Sequence, residues 1–143
     1  MAKIPPHGEL SDVCCEQDAD QRKQRKAIEM LLKAGADIHE TEKNGVTPLH
    51  FAVRFRSPAT VEALLTHGAN ANQACRRSGS TPLHRAVTST GAPQTARKQD
   101  EAKQIIRLLL RFGANPSIKN KKGKIPADYV RDEAILKLLK TRR

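Results

Sequence analysis

The sequence predicts an all-α solenoid of stacked helix pairs joined by hairpin-like turns, with no sheet core. Three observations carry this reading. The phrase "TPLHFAV" at 47–53 returns as "TPLHRAV" at 81–87, agreeing at six of seven positions across a spacing of 34 residues. Three apolar-striped runs, "AIEMLLKAGAD", "TVEALLTHGAN" and "IIRLLLRFGAN", each close on a Gly-Ala pair. The 143 residues contain no Trp, one Tyr and three Phe. A core of Leu, Ile, Val and Ala suits thin stacked helices better than a ring-filled globule, and a phrase written twice is the mark of a structural unit built more than once.

The striped runs are second helices of each unit. Ile28, Val61 and Ile106 stand seven residues before the glycines Gly35, Gly68 and Gly113. Leu31 and Leu32, Leu64 and Leu65, and Leu109 and Leu110 stand three and four before them. This i, i+3, i+4 spacing aligns one helical face. The glycine then ends the helix, because the position past its last residue favours a left-handed backbone. Polar connectors follow, each with a second glycine, Gly45, Gly79 or Gly123, two residues before the phrase. They read as hairpin-like turns. Pro48, Pro82 and Pro126 then suit the first turn of a first helix, where a missing N–H is harmless.

These residues resemble the ankyrin repeat. In one unit the match runs through Gly45, Thr47, Pro48, Leu49, His50, Ala52, Leu64, Leu65, Gly68 and Ala69. In the next it runs through Gly79, Thr81, Pro82, Leu83, His84, Ala86, Leu109, Leu110, Gly113 and Ala114. The resemblance covers roughly residues 20–143 and implies an ankyrin-repeat solenoid. It also implies that the threonines and histidines of the phrase hydrogen-bond locally and to neighbouring repeats. On that ground His50 and His84 are structural.

Four units are expected: about 8–40, 41–74, 75–119 and 120–143, the last being a C-terminal cap, with 1–7 as a flexible N-terminus. The first lacks the phrase, and "GELSDVCCEQ" is its candidate first helix, with Leu10, Val13 and Cys14 inward. The third is stretched: Thr81 to Gly113 spans 32 residues where Thr47 to Gly68 spans 21. The insertion, near 89–99, is expected to protrude between the two helices, away from the turn tips. In the fourth unit "IPADYV" is a degraded copy of the phrase, with Ile125, Ala127 and Asp128 in place of Thr, Leu and His.

No nucleotide loop, nucleophile motif or metal-ligand spacing is present, so no enzyme activity, metal or cofactor is expected. No signal peptide or membrane span is visible, and three scattered cysteines suggest a reducing compartment, so an intracellular place, cytoplasmic or nuclear, is expected. The net charge is +11, from 26 Lys and Arg against 15 Asp and Glu, which points to an anionic partner. The resemblance implies binding of another protein on a concave face made by turn tips and first helices. By position, the first tip supplies Lys43, Asn44 and Val46. The next supplies Arg76, Arg77 and Ser80, and the last Lys121, Lys122 and Lys124. The first helices add Arg54, Phe55, Thr88 and Ser89, while His67 and Phe112 are expected to border the same groove. The expected partner of this monomeric module is an acidic protein segment anchored by Phe55. Nucleic acid on the same face and a subunit role in a larger assembly are the alternatives.

Overall fold

The computed structural model describes residues 8–15, 20–88 and 99–140. Ser89 and most of the expected insertion lie outside these residues, as does the segment 1–7. The helices are α1 (Glu9–Cys14), α2 (Gln21–Lys33), α3 (Pro48–Arg54), α4 (Pro58–Thr66), α5 (Pro82–Val87), α6 (Gln99–Arg111) and α7 (Glu133–Lys140). Short 3-10 turns lie at Lys43–Gly45 and Pro126–Tyr129. Among the described residues there is no strand, only an isolated bridge between Glu42 and Val46.

The helices form two layers. First helices stack on first helices, α1 on α3, α3 on α5, and α5 on the Pro126–Tyr129 turn. Second helices stack likewise, α2 on α4, α4 on α6, and α6 on α7. Between the layers runs one apolar core that includes Leu10, Ile28, Leu49, Leu64, Leu83 and Leu109. A single pair has nothing to cover its outer faces, and the neighbouring pair supplies the cover.

The repeated phrase is a capping device followed by a bridge. Pro48 opens α3, and Thr47, its N-cap, accepts from the His50 backbone N–H at 3.4 Å. His50 Nδ1 accepts in return from the Thr47 N–H at 3.1 Å. This is a capping box in which His stands where Glu or Gln more often does. Because Nδ1 accepts, the ring proton sits on Nε2, which donates to the Ser80 carbonyl of the next unit at 3.3 Å. Thr81 and His84 repeat the arrangement, and His84 Nε2 donates to the Lys124 carbonyl at 2.8 Å. The phrase thus starts a helix and ties that helix to the following turn.

The last unit departs from this, for a chemical reason. Ile125 has no hydroxyl to cap a helix, and Asp128 makes only the return bond, accepting from the Ile125 N–H at 2.9 Å. The Asp128 N–H bonds to the Ile125 carbonyl at 3.0 Å, an i to i+3 link. A 3-10 turn, not an α-helix, results.

In the exit turns, the residue after each Gly-Ala is Asp37, Asn70 or Asn115. Each side chain accepts the N–H two residues on, from His39, Asn72 and Ser117, at 2.8–2.9 Å. In the first unit the buried Glu40 carboxylate accepts from the Gly8 N–H at 3.0 Å and the Ser11 hydroxyl at 2.9 Å. This fixes the start of the short α1.

Burial, helped by the nearby Arg85 charge, pushes His50 down from 6.5 to about 4. The folded value lies below the unfolded one, so the unfolded chain takes the proton first. Stability is therefore expected to be full above about pH 6.5 and to fall by about 3 kcal/mol as pH drops to about 4. Urea unfolding of the wild type beside His50→Asn at pH 7 and pH 4.5 checks this. The gap between the two proteins should narrow at the lower pH, and a constant gap would contradict a buried neutral histidine.

Candidate functional site

The turn tips are three hairpins closed by equivalent backbone bonds. The N–H groups of Glu42, Cys75 and Asn120 donate to the carbonyls of Val46, Ser80 and Lys124 at 2.8, 2.9 and 2.8 Å. Successive tips are also joined directly. The Arg76 N–H donates to the Asn44 carbonyl at 2.7 Å, and the Lys121 N–H to the Ser78 carbonyl at 2.9 Å. Backbone contact therefore fixes the spacing at which the tips present their side chains.

Between the last two tips and α5 lies a hollow of about 620 Å³. Arg77, Arg85, Lys121 and Lys122 line it, together with Ser78, Ser80, Thr88 and the Tyr129 ring. Among the described residues no carboxylate lines it. Four cations so close attract an anion over about 8 Å at physiological salt, and they attract each other's counter-ions rather than each other. Tyr129 is 38% exposed. Its ring edge meets His84, with ring centres 6.4 Å apart, and its hydroxyl accepts from Asn120 Nδ2 at 2.8 Å.

The structure brings together part of the residue set that the sequence nominates. Arg77, Ser80, Thr88, Lys121 and Lys122 all line the hollow. Lys43, Arg76 and Lys124 are exposed on the tips, while Asn44 and Val46 are half-buried there. Phe55 does not line the hollow. It caps α3, half-buried, with the Arg54 guanidinium 5.5 Å above its ring. His67 and Phe112 sit elsewhere too, because they follow second helices and belong to the other layer. His67 bonds to the Ala63 carbonyl at 2.7 Å and borders a separate hollow with Leu32, Ala36 and Ile38. Phe112 is 40% exposed at the end of α6.

Sequence reasoning missed Arg85 and Tyr129 as lining residues. A signal for both was present. They occupy the same place in the unit, directly after the position of the phrase's histidine. That place is also the one at which the two full phrases disagree, Phe51 against Arg85. Positions fixed by capping and packing repeat, whereas a position facing outward is free to vary.

Arg56 was also illegible. It has a left-handed backbone, φ 55°, without being glycine. Its buried side chain crosses to the next unit, where Nη1 donates to the Ala86 carbonyl at 2.8 Å and Nη2 to the Thr88 carbonyl at 2.9 Å. It thereby satisfies the open carbonyl end of α5 and holds Thr88 at the rim of the hollow. Burial lowers its pKa from the ordinary arginine value.

No group of three His, Cys, Asp or Glu among the described residues could hold a metal. No helix among them is long and apolar enough to cross a membrane.

Comparison with known proteins agrees with this architecture. The family model described as ankyrin repeats (3 copies) matches residues 17–120. An ankyrin repeat protein of fowlpox virus (strain NVSL) is 36% identical over 110 residues, covering 76% of this chain and 29% of that protein. The mouse B-cell lymphoma 3 protein homolog is 34% identical over 117 residues, covering 81% of this chain and 23% of that protein. The crystal structure of the ankyrin repeat domain of Bcl-3, described as a unique member of the IkappaB protein family, superposes with a TM-score of 0.69 at 32% identity. That match covers 83% of this chain and 47% of the solved one. The chain thus spans under a third of the length of these two curated relatives.

Proposed function

We propose that this chain, which belongs to the ankyrin-repeat family, binds an acidic segment of a partner protein in the basic hollow between its last two turn tips. Ankyrin repeats are protein–protein interaction modules, and the family and fold are non-enzymatic. The observation that carries the finer reading is the composition of the hollow among the described residues: four cations, no carboxylate and one part-exposed tyrosine. Such a surface attracts acidic side chains at long range, and the Tyr129 ring offers an apolar contact at short range. Arg76 and Lys124, exposed on the same tips, extend the positive field. The module acts as a monomer in a reducing compartment, cytoplasmic or nuclear.

Rim charges govern encounter more than residence. A glutamate-rich peptide on a biosensor surface, measured at two salt concentrations, tests the reading. Reversal of Arg77 and Lys121 to Glu is expected to slow association about tenfold or more and to flatten its salt dependence. Tyr129→Ala is expected to speed dissociation instead. Melting of the charge-reversed variant should stay within about 0.5 kcal/mol of wild type, since Arg77 and Lys121 are exposed. Unchanged association in that variant would place the acidic partner on another face.

A further inference from the structure

The hollow has a feature that a general attraction to acidic segments leaves unexplained. Arg85 extends from α5 into it, half-buried, yet no carboxylate is paired with it among the described residues. Its Nε is enclosed by protein and has no acceptor. Nη2 contacts only the soft Cys75 sulfur, at 3.8 Å. A guanidinium carries five N–H donors and, when taken out of water, ordinarily has oxygen acceptors to receive them. Here no oxygen among the described residues receives them, and the residue stands in the wall of the hollow.

The surroundings specify what kind of acceptor would fit. Arg77, Lys121 and Lys122 bring three further positive charges to the same space. The Ser80 hydroxyl accepts from Ser78 at 2.9 Å, so its own proton is available to donate. A carboxylate has one negative charge and two oxygens in a plane. One guanidinium fork satisfies it and leaves the other cations uncompensated. A phosphate monoester carries nearly two charges and three acceptor oxygens directed into different quadrants. It can take a fork from arginine while also meeting lysine ammonium groups and a hydroxyl. We infer that the hollow is a phosphate-selective subsite, in which the Arg85 guanidinium, flanked by Arg77, Lys121, Lys122 and the Ser80 hydroxyl, receives a phosphorylated side chain of the partner. This rests on the hollow being the partner-binding surface. It adds that the acidic determinant is a phosphate monoester and that Arg85 discriminates it from glutamate.

Three fluorescein-labelled peptides of one length test this by fluorescence anisotropy with the purified chain at about 150 mM salt. One carries phosphoserine, one carries two glutamates for each phosphoserine so that charge is matched, and one carries serine. The phosphopeptide should bind at least about tenfold more tightly than the glutamate peptide. Arg85→Lys keeps the charge but removes the planar fork, so it should weaken phosphopeptide binding more than glutamate-peptide binding and cut that preference to below about threefold. Lys121→Gln with Lys122→Gln, at exposed positions that leave the fold alone, should weaken both acidic peptides. Equal binding of the two acidic peptides, lost together on reversal of Arg77 and Lys121, would overturn phosphate selectivity and leave the acidic-segment reading standing. No binding of either would overturn both. A phosphate preference that survives Arg85→Lys, with the circular dichroism of that variant unchanged, would remove Arg85 from the role.

Discussion

Replacing Leu64 with alanine is expected to destabilise the protein by about 2–5 kcal/mol, the range for emptying a buried leucine site. Leu64 is fully buried on α4, the second helix that lies between α2 and α6. The loss comes from removed apolar contact and from a cavity that the flanking helices cannot fully close. In a solenoid each unit is held by its neighbours, so a defect in a central unit weakens the interfaces on both sides. The equivalent Leu31–Leu32 pair supplies a control. Both residues are only half-buried, and among the described residues one second helix, α4, packs on α2. Leu32→Ala should therefore have a smaller effect than Leu64→Ala in the same denaturant series. Equal losses at the two sites would mean that position in the array does not set the cost.

Gly79→Ala should also be strongly destabilising, and for a reason that Gly68→Ala lacks. Both glycines have left-handed backbones, φ 72° and φ 99°. A side chain in that conformation costs about 1–2 kcal/mol by itself. At Gly68 nothing lies within 4 Å of where a Cβ would stand, so that strain is the whole expected effect. At Gly79 the new carbon would lie 2.9 Å from the Lys121 backbone nitrogen and 3.1 Å from its Cγ. The Lys121 N–H is the donor that joins the two tips through Ser78. Accommodating the methyl group requires the tips to separate, with a total cost of about 2–4 kcal/mol. The same separation should weaken peptide binding, because Arg77 on one tip and Lys121 on the next both line the hollow. Thermal melts and peptide titrations of the two variants check both parts. Identical melting of Gly79→Ala and Gly68→Ala would show that the tips are not in backbone contact.

The fold was legible where the same residue is required in every unit. Thr47 and Thr81 cap, Pro48 and Pro82 open helices, and His50 and His84 bridge to the next turn, so these residues repeat. The leucine pairs before the exit glycines repeat because each helix buries the same stripe. The site was legible only in outline. Tip residues could be counted from the turns, which found Arg77, Lys121 and Lys122. Arg85 and Tyr129 were hidden because attention to agreement between copies passes over the place where copies differ. Phe55 was assigned to the surface by its place after the phrase. In fact α3 ends at Arg54, and the chain turns there so that Arg54 covers the ring. The bridge made by Arg56 depends on a side chain crossing between units, which no local pattern announces. The loss of α-helix in the last unit could have been read from Ile125, which offers no capping oxygen.

In the proposed mode of binding, acidic partner groups enter the hollow between the last two turn tips. Titration of the isotope-labelled chain with the phosphoserine and glutamate peptides, followed by two-dimensional NMR of backbone amides, tests it most directly. The largest shifts are expected at Arg77, Ser80, Arg85, Thr88, Lys121 and Tyr129, with α2, α4 and α6 little changed. Shifts concentrated on the outer faces of those second helices, around Arg25, Arg107 and Arg111, would contradict it.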